Sequence, residues 1–211
     1  TALLNRAQDH LYQAQCNCAY WHGIFGGLYM VHLRHALYLH LLRAEHLMDR
    51  YEDGVSLSVE RFDYDADFQD EVVLRNSELF ALIKPGLGGG LLELDIKSRA
   101  FTVTNVMTRQ FEGYHRGLQV TQGDHDPNGD ETSASIHDAV DTVDAAVMEQ
   151  VAYDFGPRFA FQDMFLDPSI DPETSLVAFQ RRQIPDQGDF AFTPWELPED
   201  GLHDAGCTVQ R

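Results

Sequence analysis

Around Asp53-Gly54 the apolar residues change period, from the steps of three and four that mark a helix to the step of two that marks a strand. No single element carries both periods, so the chain divides there into 1–52 and 53–211. Upstream, Leu4, Ala7, Leu11 and Ala14 predict one helix, which Gly23, Gly26 and Gly27 interrupt. Met30, Leu33, Leu37, Leu41, Ala44, Met48 and Tyr51 then predict a second. Leu28, Leu39 and Leu42 lie off that stripe, and a helix apolar on more than one side must be covered on more than one side. The pair therefore calls for the following domain or a further partner.

Downstream, Val55, Leu57 and Val59 alternate with Ser56, Ser58 and Glu60, the pattern of a half-buried strand. Val72 to Leu74, Leu79 to Ile83, Leu91 to Ile96, Phe101 to Val106 and Leu118 to Val120 continue the series. Phe159 to Phe165, Leu176 to Gln180 and Phe190 to Phe192 offer later strands. Short strands between frequent turns predict a mainly β fold, an antiparallel β-sandwich preceded by the two-helix segment. Residues 123–135, acidic and turn-rich, read as a surface loop.

Charge divides the chain at the same place. Arg6, Arg34, Arg43 and Arg50 balance Asp9, Glu45, Asp49 and Glu52, so the formal net charge of -19 falls entirely on the second part. Such a surface repels phosphate backbones and anionic lipid, which argues against nucleic-acid and membrane partners. No stretch has the run of about 18 apolar residues a membrane helix needs. Three cysteines, Cys16, Cys18 and Cys207, form no disulfide framework, and the default compartment is reducing, hence cytoplasmic. The chain opens without Met inside a helical pattern, from which the expectation is a piece of something longer.

Two clusters could hold a ligand. Gln15 to Gly27 crowds amide, thiol, aromatic and imidazole groups beside three glycines. Trp21 offers a flat apolar face on which a sugar can stack, and Asn17 and His22 offer hydroxyl partners. The alternative is a helix junction whose aromatics are core. In the second cluster, Asp63, Asp65, Asp67 and Asp70 bring alternate carboxylates into a tight loop, and converging hard oxygens favour Ca2+. Phe68 stands where an EF-hand has glycine and the distal Glu is missing, so a solvated acidic turn is the other reading. No nucleophile elbow, phosphate loop, dinucleotide fingerprint or zinc-protease motif occurs, and no catalytic residue is identified.

Ala14 to Tyr29, followed by His32-Leu33-Arg34, resembles the final conserved region of glycoside hydrolase family 57. Asp70 to Asn76, Gly88-Gly89-Gly90 leading into Glu93-Leu94-Asp95, and Ser135 to Asp138 resemble its C-terminal domain in the expected order. Tyr153-Asp154, Pro157-Arg158, Phe161-Gln162-Asp163 and Phe165-Leu166 continue the match. The resemblance implies a catalytic β/α barrel upstream of Thr1, with a glutamate nucleophile and an aspartate acid/base that retain configuration. This chain would then hold the end of the helical bundle plus the sandwich, and no catalytic residue.

By resemblance Trp21 stacks on sugar, with Asn17 and His22 in or near the cleft. Cys18 stands where characterised glucanotransferases commonly have Asp, which leaves hydrolase and transferase both open. The expectation is a non-catalytic C-terminal fragment of an α-glucan-acting hydrolase or 4-α-glucanotransferase. Its partners would be maltooligosaccharide and the upstream barrel, and it requires no cofactor, Ca2+ being the one ion its acidic loop suits. The alternative is an independent carbohydrate-binding sandwich, with Trp195 or Tyr114 on the glucan.

Overall fold

The computed structural model describes residues 2–21, 26–52, 56–113, 153–154, 156–171 and 184–196, together with 173, 175, 178, 202–203 and 206–207. The helical period becomes α1 (Ala2–Ala14) and α2 (Val31–Tyr51), which pack on each other. Ala7 and Ala14 of α1 are buried, as are Leu37, Leu42 and Leu47 of α2. Leu42, off the predicted stripe, is buried while Leu41 on it is exposed, because α2 packs against the sheet as well as against α1. His10 and His40 meet across the helix pair, Nδ1 to Nδ1 at 3.0 Å. Burial, then the neighbouring His40, hold His10 below the usual imidazole range, so one neutral ring donates to the other.

The period of two becomes a meander of β1 (Ser58–Phe62), β2 (Glu71–Arg75), β3 (Leu79–Lys84), β4 (Gly90–Ile96) and β5 (Phe101–Thr102). They form one antiparallel sheet in chain order. Asn76 makes the β2–β3 turn: its Oδ1 accepts the backbone N–H of Glu78 at 2.9 Å and of Leu79 at 2.8 Å. A register shift between Leu82 and Ile83 interrupts the β3–β4 pairing. A short ribbon, β6 (Leu202–His203) with β7 (Gly206–Cys207), is separate from this sheet.

Paired residues share a face, so the register sorts the side chains. Val73, Phe80, Leu82, Glu93 and Asp95 lie on one face, and Leu74, Ala81, Leu94 and Ile96 on the other. Val73, Phe80 and Leu82 form the sheet's buried core.

The first expected strand begins three residues later than its alternation. The stretch 159–165 is not a strand: Ala160 alone pairs, exchanging backbone bonds with Leu91 at 2.9 and 3.1 Å. Phe161 adopts a left-handed φ of 59°, which no ladder accommodates. Residues 190–192 are bent instead of extended. Among the described residues there is a single open five-stranded sheet, and a second sheet facing it is not seen. The predicted strand at 118–120, the loop 123–135 and Tyr114 lie outside the described residues, as does most of 176–180.

The chain separates into two units. The first comprises 1–107, 158–171 and 185–211, and the second 108–157 and 172–184. In the second, Asp154 grips Arg109: its Oδ2 accepts the Arg109 backbone N–H at 2.8 Å and its Oδ1 accepts Nη2 at 2.6 Å. The Phe111 and Tyr153 rings meet edge-on there, 5.5 Å apart. No helix among the described residues is long and apolar enough to cross a membrane.

Candidate functional site

Asn17 opens a 3-10 turn, Asn17–Ala19, just beyond the end of α1. Ala19 anchors this turn by burial, and the Tyr20 hydroxyl donates to the Ala14 carbonyl at 2.7 Å. The chain then reverses toward α2, with the Trp21 carbonyl accepting the N–H of Leu28 at 2.9 Å. Arg34 of α2 braces the reversal, donating Nη1 to the Leu28 carbonyl and Nε to Asn105 at 2.8 Å. Asn17, Cys16 and Cys18 face solvent, and both thiols are free. Trp21 is 45% exposed. Asn17 and Trp21 thus share one exposed segment, whereas His22 lies outside the described residues.

The acidic loop is built around a lysine that sequence spacing did not connect to it. Lys84, at the end of β3 and almost wholly buried, points its ammonium into 63–71. There it meets Asp65 at 2.5 Å, Asp67 at 2.7 Å and Glu71 at 2.9 Å. Burial alone would pull the lysine down, but hydrogen bonds to these three carboxylates outweigh it and raise its pKa. The Lys84 bond in turn holds the Asp67 carboxyl below the usual range. Asp63 spends both oxygens on the loop's backbone, accepting from Asp67 at 3.0 Å and Phe68 at 3.1 Å. Asp70 turns away to Arg61, at 3.0 Å. Asp63, Asp65 and Glu71 each place an oxygen within 4.8 Å of the others. Of the four predicted ligands, then, Asp65 and Asp67 converge on one charge, Asp63 shapes the turn, and Asp70 stands apart.

A third cluster escaped the sequence reading. A cavity of about 790 Å3 lies between the helix pair and the sheet, lined by apolar residues of both helices together with Tyr38, Glu45, Asp49, Glu93 and Asp95. Lys97 is buried with Asp49, Nζ to Oδ2 at 2.7 Å, tying the turn after β4 to the end of α2. Glu93 has no such cation. Burial, then its hydrogen bond and charge contact with Asp95, push its carboxyl up to about 9, so at neutral pH it is protonated. Asp95, 1% exposed and with its Oδ1 buried, shares a hydrogen bond with Glu93. Burial also raises Asp95, Glu45 and Tyr38. The arrangement stores a proton. It cannot work as a glycosidase pair, because two carboxyls bonded to each other leave no room for a glycosidic bond, which needs about 5–9.5 Å between them. The Glu93-Leu94-Asp95 alternation carried this information, but read alone it places both acids on a solvated face.

The helix pair and the sheet fall, in order, largely within two domain matches of one family. Residues 2–48 match the family described as alpha-amylase/4-alpha-glucanotransferase, middle domain. Residues 63–207 match alpha-amylase/4-alpha-glucanotransferase, C-terminal. The 4-alpha-glucanotransferase of Thermococcus kodakarensis is 33% identical over 205 residues, 97% of this chain and 29% of that protein. The alpha-amylase of Pyrococcus furiosus is 35% identical over 205 residues, 97% of this chain and 28% of its own length. The crystal structure of 4-alpha-glucanotransferase from Thermococcus litoralis superposes with a TM-score of 0.67 at 28% identity, covering 91% of this chain and 24% of that one. The chain belongs to this alpha-amylase/4-alpha-glucanotransferase family, glycoside hydrolase family 57, and comprises middle- and C-terminal-domain sequence. It spans less than a third of the length of these relatives.

Proposed function

We propose that this chain is the non-catalytic C-terminal part of an α-glucan-acting enzyme, either a hydrolase or a 4-α-glucanotransferase. The observation that supports this best is the exposure of Asn17 and Trp21, four residues apart just beyond α1, in the segment matched to the family's middle domain. An exposed indole and an exposed amide on one short segment suit a sugar ring, which has apolar faces and a polar rim. In this reading Trp21 stacks on a glucose unit, with Asn17 and His22 beside it, and the helices form one wall of the cleft. The Glu93–Asp95 pair serves folding, and the catalytic carboxylates belong to a barrel elsewhere in the polypeptide.

The C-terminal domain in this reading is a sandwich that braces the barrel. Support comes from the half-buried apolar face of Leu74, Ala81, Leu94 and Ile96, the face a second sheet would cover. The protein works in the cytoplasm and needs no cofactor for catalysis. Ca2+ is proposed at the oxygens of Asp63, Asp65 and Glu71, where it would compete with the Lys84 ammonium for Asp65 and Glu71. A rise in Tm with Ca2+ that a chelator reverses supports that, and an unchanged Tm removes it.

Two assays test the main reading. The 211-residue chain is expected to leave maltooligosaccharides intact over hours, and enzyme-like turnover by it would sink the proposal. In the longer polypeptide, Trp21→Ala is expected to lower kcat/KM on maltooligosaccharides by ten-fold or more, and unchanged kinetics would remove Trp21 from the cleft.

A further inference from the structure

Phe68 is 96% exposed and sits on a left-handed backbone, φ 69°, which a bulky side chain rarely adopts. Nothing in its own packing calls for either feature. The loop nevertheless holds it firmly. Asp63 accepts the Phe68 N–H, Asp67 accepts that of Gln69 at 2.9 Å, and Lys84 ties Asp65 and Asp67 to the buried Glu71. A strained, over-determined backbone that displays an apolar ring to solvent points to a ligand.

The ring does not stand alone. A groove of about 580 Å3 runs from Phe68 to Trp195, with Arg61, Gln69, Asp70 and Glu196 among its walls and Pro85-Gly86 along it. Its floor is fitted to large groups. Trp195 is fixed by its backbone N–H, which donates to the Pro85 carbonyl at 2.8 Å. A Cβ on Gly89 would lie 3.1 Å from the indole, and one on Gly86 would strike the Gln69 amide at 2.1 Å. Arg61 spends only Nε on Asp70 Oδ2, which leaves its terminal nitrogens as donors and Asp70 Oδ1 as an acceptor.

We propose that this groove binds a stretch of neutral α-glucan through Phe68 and Trp195, as a second sugar site made by residues other than Asn17 and Trp21. The proposal rests on the α-glucan reading above and adds a site to it. The chemistry selects a neutral polyol. Two rings offer apolar faces for stacking, and an arginine already neutralised by an aspartate offers donors and acceptors with no net charge between them. Glu196 and the overall charge of -19 exclude a polyanion.

The chain has two tryptophans, so Trp21→Phe leaves Trp195 as its sole indole reporter. The test titrates that variant with maltoheptaose. A saturable change in Trp195 fluorescence is expected, weakened ten-fold or more by Phe68→Ala and restored by Phe68→Tyr, with an unchanged Tm showing that each variant folds. No saturable change, or one that Phe68→Ala leaves intact, overturns the site. The second result would mean that Phe68 serves another surface, such as a contact with protein. The Trp195→Phe chain, reporting through Trp21, separates the two readings. Binding seen there alone overturns this groove and keeps the α-glucan reading. Silence of both indoles overturns the groove and leaves the α-glucan reading to the turnover assays.

Discussion

Lys84 and Glu93 are both ionisable groups taken out of water, and their surroundings settle them oppositely. Lys84 stays charged because three carboxylates reach it, two of them still touching solvent. Replacing it by Met removes the counter-charge of Glu71, whose side chain is wholly buried. Lys84→Met is therefore expected to cost about 3 kcal/mol in urea denaturation. Arg61→Met, which loses only an exposed pair, should change stability by less than about 1 kcal/mol. Equal losses from the two would show that the loop does not depend on its buried lysine. Glu93 has no cation and keeps a proton instead. Its folded pKa of about 9 lies above an unfolded value of about 4.3, so between those values the folded state binds the extra proton. The stabilisation is complete below the unfolded value and is lost as pH rises toward 9, at no more than about 1.4 kcal/mol per pH unit. Tm should fall between pH 6 and 9, and Glu93→Gln should flatten that fall. Parallel profiles for the two proteins would show that Glu93 is ionised.

At the scale of elements, periodicity made the helices and the meander legible, and α1, α2 and β2 to β4 lie close to where the spacing puts them. It failed where partners distant in sequence decide. On β4, Glu93-Leu94-Asp95-Ile96 reads as acids out and apolar residues in, yet Asp95 is buried toward the helices while Leu94 and Ile96 are only half-covered. The reason is tertiary: α2 brings Tyr38 and Asp49 over that face, and Lys97 joins Asp49. The acidic loop hid its partner in the same way. Alternate aspartates announced a cation, but the ammonium that meets them comes from Lys84, 19 residues beyond Asp65. Asn17 and Trp21 could be nominated together because they are four residues apart, whereas Phe68 and Trp195, which line one groove, lie more than half the chain apart. The glycine run after β3 makes a turn of demanding geometry. Gly88 has φ 69°, donates its N–H to the Thr193 carbonyl at 3.0 Å, and has no room for a Cβ, which would lie 2.3 Å from the Ala191 carbonyl. Gly88→Ala must strain its own backbone and push 190–193 away, and a loss of roughly 2–4 kcal/mol is expected. Gly113→Ala, with open space around it, should fall within about 0.5 kcal/mol of neutral. Circular dichroism melts of both variants check the contrast, which equal losses would erase.

For the whole molecule the dominant quantity is charge. The formal value of -19 arises entirely beyond residue 52, where 30 acidic residues face 11 basic ones. Several of those bases are already engaged, Lys84 with three carboxylates and Arg61, Arg75 and Arg109 with one apiece. The remaining acids repel one another across the folded surface and relax when the chain expands, so at low ionic strength the charge works against folding. Salt screens that repulsion, the Debye length falling from about 30 Å at 0.01 M to about 10 Å at 0.1 M. The buried contacts of Lys84 and Lys97 are screened far less, because little solvent reaches them. The two effects predict a sign. Raising NaCl from about 0.01 M to about 0.3 M should stabilise the chain by roughly 1–2 kcal/mol, which for about 200 residues is a rise in Tm of about 2–8 °C. Calorimetry at pH 7 across that range is the check. A Tm that falls with salt would mean that attraction within ion pairs outweighs repulsion among the unpaired acids, and the acidic surface would then need a partner other than solvent to explain it.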